Sequence, residues 1–226
     1  MKKHERTLAM KKRTVGTNTL RIGTMVSFLF AVTLGLMPVM AIDLPEGAKV
    51  GDAAPDFILK NTDDKRVGLA SYAEAKGIIL VFTCNTCPYS VKYENRIIAL
   101  NEKFSKKGFP VVAINSNDPS VMPDDAPDHM KQRALDKKFT FPYLFDETQS
   151  VAKAYGARRT PHVYVLQRTP RGFSIEYIGA IDEDPDEEQA ARPMFVDKAV
   201  EALLAGKKPE PSFTKAIGCT IKWKKS

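Results

Sequence analysis

The stretch from Gly77 to Ser90, GIILVFTCNTCPYS, constrains the fold more than any other part of the chain. Ile78, Ile79, Leu80, Val81 and Phe82 form an unbroken apolar run rich in β-branched residues. A short run that is apolar on both alternating faces reads as a strand covered on both sides. Beyond Cys84-Asn85-Thr86-Cys87 the spacing changes, and Val91, Glu94, Ile97/Ile98, Leu100/Asn101 and Phe104 fall at the three- and four-residue intervals of a helix. Pro88 suits the first turn, where a missing N–H does no harm. A CxxC pair therefore sits where a buried strand hands over to a helix N-terminus. The unpaired N–H groups and positive dipole end of a helix favour an anion and lower the pKa of a thiol placed there. Cys84, at the strand end, is expected to be the more exposed and acidic thiol and to attack disulfides, with Cys87 resolving the mixed disulfide.

The rest of the chain reads as further strand–helix units of an α/β domain. Phe57–Lys60 and Arg66–Leu69 flank a polar turn and predict a β-hairpin, and Ser71–Lys76 a short helical connector. Phe109–Asn115 is a second buried strand, which after the cysteine helix implies a right-handed crossover and a parallel pair. Asp118–Asp128 reads as a surface loop, Met130–Lys138 as an exposed basic helix, Tyr143–Asp146 as a strand and Thr148–Tyr155 as a helix. Thr160–Leu166 and Ser174–Ile178 are strands, Asp182–Glu188 a solvated acidic loop and Met194–Leu204 an amphipathic helix. In the tail, Ile217, Cys219, Ile221 and Trp223 alternate with Gly218, Thr220, Lys222 and Lys224, the period of a half-buried strand. The expectation is a tail docked on the domain with Trp223 buried.

Charge bears on partners. Seven of the 34 Lys/Arg but one of the 27 Asp/Glu lie in residues 1–41, so the rest of the chain is almost neutral and no nucleic-acid partner is indicated. That leader reads as an export signal: a basic segment, the apolar stretch Ile22–Met40, Pro38, and small residues at Val39 and Ala41 before Ile42. An uncleaved single-span anchor is the alternative, and would be the chain's sole attachment to a membrane. The expected division is a signal peptide over 1–41, a domain over 42–208 and a tail over 209–226, in a periplasmic or other extracytoplasmic compartment. No second CxxC and no His pair at ligand spacing accompanies the cysteines, so a four-ligand zinc site cannot be assembled.

Three segments together carry a resemblance: Gly51-Asp52-Ala53-Ala54-Pro55-Asp56-Phe57, Phe82-Thr83-Cys84-Asn85-Thr86-Cys87-Pro88-Tyr89, and Tyr155-Gly156-Ala157-Arg158-Arg159-Thr160-Pro161. The chain resembles the thioredoxin-like superfamily in its redoxin branch, related to AhpC/TSA proteins and peroxiredoxins, over roughly Val50 to Leu204. The ending Gly218-Cys219-Thr220-Ile221-Lys222-Trp223-Lys224 is similar to that of an exported CxxC subgroup. The resemblance implies a central mixed sheet flanked by helices, and a cis Thr160–Pro161 bond packed against the cysteines. Thr160 would offer its backbone to a substrate polypeptide. It also implies a thiol–disulfide oxidoreductase that needs no bound cofactor and acts on protein or small-molecule thiols with a redox partner protein. Peroxiredoxins place a Thr three residues before the peroxidatic Cys and a Pro further upstream. Here those positions hold Val81 before Cys84 and Cys84 before Cys87, and no Pro lies between Pro55 and Pro88, so the peroxidase alternative lacks its signature.

Other residues near the pair have two readings each. His162 is either a half-buried strand histidine or a group that tunes a thiolate. It could also join Cys84 and Cys87 as a copper ligand, which would make the chain a copper-binding protein. Arg158 and Arg159 either form a solvated loop or raise the local potential. Glu94 is read as part of a solvated helix face, with proton acceptance from Cys87 as the alternative. Cys219 is read as a small buried hydrophobe, with a third redox cysteine as the alternative.

Overall fold

The apolar run after Gly77 is the centre of the molecule: Ile78 to Phe82 are completely buried in strand β3 (Gly77–Phe82). This computed structural model describes residues 47–186 and 193–225, so the expected leader over 1–41 and the end of the acidic loop lie outside the described residues. β3 pairs in parallel with β4 (Val111–Asn115), which pairs in parallel with β5 (Tyr143–Phe145). On its other side β3 runs antiparallel to β7 (His162–Thr169), which turns into β8 (Gly172–Gly179). The hairpin of β1 (Ile58–Asn61) and β2 (Arg66–Gly68) adds antiparallel to β5. The sheet order is β2-β1-β5-β4-β3-β7-β8, a mixed sheet of the expected thioredoxin-like kind, with the hairpin built into its edge.

Alternation along β3 divides the core between two faces. Ile79 and Val81 join Tyr93, Ile97, Leu100 and Phe104 of helix α1 (Pro88–Phe104) and Val196, Ala199, Val200 and Leu203 of α4 (Phe195–Leu204). Met130 of α2 (Pro127–Asp136) packs on the same side. Ile78, Leu80 and Phe82 face the other way, against Phe57, Val151, Ala152 and Tyr155, the last three from α3 (Ser150–Tyr155). Burying each large apolar side chain of this kind contributes roughly 1.5–3 kcal/mol. Gly108, in the left-handed region at φ 93°, closes the short 3-10 extension of α1, and the chain then enters β4.

Several local expectations are corrected. The connector is a 3-10 turn over Leu69–Tyr72. The loop from Asp118 is not a plain surface loop: Asp118 and Asp125 are buried, the latter completely. Nor is the start of the acidic loop solvated, because Asp182 and Asp184 are buried and Asp182 pairs with Arg96 at 2.7 Å. An acidic residue reads as solvated in sequence, but here a buried arginine on α1 offers it a charge-matched site.

The tail docks by a different device from the one its alternation predicts. Only Cys219–Thr220 forms a strand, β9, paired antiparallel with β6 (Arg159–Thr160). Ile221 is buried at 3% exposure, but Trp223 is 37% exposed, with Lys153 Nζ 5.8 Å from its ring centre. After Thr220 the tail's backbone is held by remote segments, the Ile221 N–H donating to the Arg158 carbonyl at 3.0 Å and the Asp118 N–H to the Lys222 carbonyl at 2.9 Å. Asn117 Oδ1 accepts the Lys222 N–H at 2.8 Å, and Gln149 Nε2 donates to the Lys222 carbonyl at 2.8 Å.

Candidate active site

Parallel strands end together, so the segments leaving β3 and β4 share one rim of the sheet, the usual place for a site in an α/β fold. The CxxC turn leaves β3 there, and the Asp/Pro-rich loop leaves β4 beside it. Asp125 joins the two. Its carboxylate accepts the Asn85 N–H at 2.7 Å, the Thr86 hydroxyl at 2.8 Å, and the amides of Asn117 at 2.8 Å and Asn115 at 3.2 Å. Asn85 also donates to the Asp124 carbonyl and accepts the Tyr143 hydroxyl. The dipeptide between the cysteines is therefore locked by a buried anion that sequence reading assigned to solvent. Its signal was positional: an acidic loop leaving the strand next to the one that carries the cysteines.

Both thiols are reduced and buried, Cys84 at 5% and Cys87 at 4% exposure, so the expected difference in exposure is absent. Their acidities also run opposite to the expectation. Cys87 is the N-cap of the 17-residue α1, with Pro88 at the first helical position. The Ser90 N–H faces its sulfur, short of a full capping hydrogen bond. Cys87 is pulled down to about 4, first by the Cys84 thiol donating to it, then by the Cys219 thiol and the N–H groups of Ser90 and Cys219, against the opposing effect of burial. The Thr160 carbonyl, 3.1 Å from Cys87 Sγ, accepts from the protonated form, but it is one acceptor against several donors. Cys84 is pushed up, first by its hydrogen bond to Cys87, then by burial and the Asp125 carboxylate. The helix N-terminus does favour a thiolate, but the sulfur at the cap is the second of the motif.

Thr160 and Pro161 stand beside the pair. Their peptide bond is cis, and Thr160 Oγ1 lies 3.3 Å from Cys84 Sγ. The backbone of Thr160 is not open to a substrate strand, however, because its partner in the β6–β9 pair is Cys219. His162 points elsewhere. It is paired with Phe82 in β3, packs on Tyr164 at 4.9 Å between ring centres, and lies on the sheet face away from α1. Burial and the Arg159 charge lower it to about 4, and its Nδ1 has no hydrogen-bond partner among the described residues. Among those residues no group of three or more His, Cys, Asp or Glu is arranged to hold a metal. Arg159 acts on the tail, donating from Nη1 to the Gly218 carbonyl at 2.8 Å. Glu94 is neither solvated nor free to accept a proton from Cys87: it is buried and paired with Arg133 at 2.7 Å and Lys137 at 2.8 Å.

Residues 50–182 match the AhpC/TSA family. A thiol-disulfide oxidoreductase ResA from Geobacillus thermodenitrificans is 26% identical over 122 residues, 53% of this chain. The chain spans 64% of that relative's own length. A putative peroxiredoxin bcp from Helicobacter pylori is 31% identical over 147 residues, covering 61% of this chain and 88% of the relative. Among solved structures, an uncharacterized conserved protein from Geobacillus kaustophilus superposes with a TM-score of 0.72 at 36% identity. That match covers 79% of this chain and 94% of the other.

Proposed function

The chain belongs to the AhpC/TSA family, and from that premise we propose an exported thiol–disulfide oxidoreductase working through Cys84 and Cys87 by way of a mixed disulfide. The observation that carries the reading is a CxxC pair at the N-terminus of α1, with Cys87 as its cap 3.1 Å from the Thr160 carbonyl and Cys84 Sγ 3.3 Å from Thr160 Oγ1, beside the cis Pro161. The Cys87 thiolate attacks one sulfur of a substrate disulfide, and the other sulfur leaves as a thiolate that takes a proton. Cys84 then gives up its proton and attacks Cys87 Sγ, which expels the second substrate thiol and leaves a Cys84–Cys87 disulfide. Two protein thiols are oxidised and one substrate disulfide is reduced. Run backwards, the same path oxidises a substrate dithiol, and a redox partner protein resets the pair. No bound cofactor enters either direction. The basic and apolar leader over 1–41 supports export, to a periplasmic or other extracytoplasmic compartment.

Peroxide reduction is the second reading, favoured by the Helicobacter pylori relative. Against it, the position three before Cys87 is Cys84 and the position three before Cys84 is the completely buried Val81, so neither sulfur has a Thr at the position that the peroxidase signature gives it. Copper binding through Cys84, Cys87 and His162 loses its third ligand, since His162 lies on the other face of the sheet.

Turnover with two oxidants tests the choice. With a dithiol reductant in excess, the protein is expected to reduce a protein disulfide catalytically. Hydrogen peroxide should be consumed no faster than by a free thiol, and Cys87→Ser should abolish the disulfide reaction. A rapid, saturable peroxide reaction would promote the peroxidase reading instead.

A further inference from the structure

The pairing of β6 with β9 puts Cys219 opposite Thr160, the residue whose carbonyl lies 3.1 Å from Cys87 Sγ. The tail thus takes the strand position that the resemblance reserves for a substrate polypeptide, and it brings a thiol with it. The Cys219 thiol and N–H lie near enough to Cys87 to favour its thiolate. Cys219 is also the most accessible of the three sulfurs, half-buried where the other two are buried. Its position is held from several sides. Arg159 grips the Gly218 carbonyl, the Ile221 N–H donates to the Arg158 carbonyl at 3.0 Å, and Ile221 is buried in the core. Gly218 lies so close to Thr160 that a Cβ there would overlap the Thr160 carbonyl. A merely apolar role for Cys219 explains its burial on one side but not its alignment on Cys87.

We propose that Cys219 is a third redox cysteine, which resolves mixed disulfides on Cys87 by forming a Cys87–Cys219 disulfide that interconverts with Cys84–Cys87. The proposal rests on the oxidoreductase reading above. With a substrate disulfide bound to Cys87, Cys219 loses its proton and attacks Cys87 Sγ. The Cys87–Cys219 bond forms as the bond to the substrate breaks, and the substrate sulfur leaves with the electron pair and takes up a proton. The Cys84 thiol can then attack Cys87 Sγ in turn, expelling Cys219, with no net change in oxidation state. A half-buried disulfide beside the strand edge hands oxidising equivalents outward more readily than one enclosed between β3 and α1. The chain's own tail is in this sense the first substrate of its CxxC pair.

Peptide mapping of the full chain reads this directly. Cys84 and Cys87 share the tryptic peptide Gly77–Lys92, and Cys219 lies in Ala216–Lys222. The reduced Cys84→Ser variant is mixed with one equivalent of oxidised glutathione, quenched in acid, alkylated and digested without reductant. The expected product is Gly77–Lys92 joined to Ala216–Lys222, with two glutathione thiols released per protein. The Cys84→Ser/Cys219→Ser variant should stop with glutathione on Cys87. Wild type, quenched early in the same reaction, should show the same link as a transient species, which covers the case of a Cys84→Ser variant that does not fold. Consumption of glutathione disulfide by wild type with Cys219 alkylated throughout, and no link in either protein, overturns the proposal alone. No consumption by wild type overturns the oxidoreductase reading and this inference together.

Discussion

At the scale of single residues, the site depends on where buried charge is allowed. Asp125 is the anion nearest the CxxC turn, and it is tolerated in the interior because four donors converge on it. Its negative charge also disfavours a thiolate on Cys84, which widens the difference in acidity between the two sulfurs. Asp125→Asn removes the charge and leaves some of those donors without acceptors. Each lost hydrogen bond to a charged group is worth about 1.5–3 kcal/mol, so denaturant unfolding should show a loss of that order. Alkylation against pH should show Cys84 titrating lower than in wild type, and an unchanged Cys84 profile would remove Asp125 from the redox chemistry.

His162 supplies a test with the opposite charge. Its folded pKa of about 4 lies below the ordinary value of 6.5, so on acidification the unfolded chain takes up the proton first. The protein should therefore lose stability as pH falls from about 6.5 to about 4, and lose no more from this group below that window. Denaturant unfolding at pH 7 and pH 5 should show a larger drop for wild type than for His162→Gln. Equal drops would mean that His162 is not held neutral by its surroundings.

At the scale of elements, the cysteine helix and the tail were legible in different degrees. The switch from an apolar run to a three- and four-residue stripe marked β3 and α1, because a centre strand and a half-buried helix leave distinct periodicities. Docking of the tail was legible in Ile217, Cys219, Ile221 and Trp223, but its extent was not. Past the bond from Ile221 to Arg158 the backbone leaves β6 and passes to Asp118, Asn117 and Gln149, while Trp223 falls outside the core. Remote loops supply those bonds, and no local pattern records them. The reading of Asp118–Asp128 failed for the same reason, since the completely buried Asp125 is matched to donors from the CxxC turn. Gly218→Ala is the sharpest test of the docking. A Cβ there must displace the tail or the Thr160 carbonyl, so residues 219–225 should become sensitive to limited proteolysis while the sheet keeps its circular dichroism. A tail as protected as in wild type would show that the close approach to Thr160 is not what holds it.

At the scale of the whole molecule, a mixed sheet covered on both faces brings three segments distant in sequence to one rim. β3 delivers the cysteine pair, β4 delivers the Asp125 loop, and β6 delivers Thr160 together with the tail bound to it. The sequence reading found the first and the third of these from motif and resemblance. It gave the attacking role to Cys84 from position along the chain, and the helix cap argues instead for Cys87. The proposed chemistry makes Cys87, at the N-terminus of α1, the attacking sulfur of a disulfide-exchange site. The most direct measurement compares Cys84→Ser/Cys219→Ser with Cys87→Ser/Cys219→Ser, each left with one cysteine, in the rate of mixed-disulfide formation with a small disulfide at neutral pH. Serine keeps a hydroxyl donor at each replaced position, and exchange rate follows the thiolate fraction, so Cys87 should react at least about ten-fold faster than Cys84. Faster reaction at Cys84 would return the attacking role to the first cysteine.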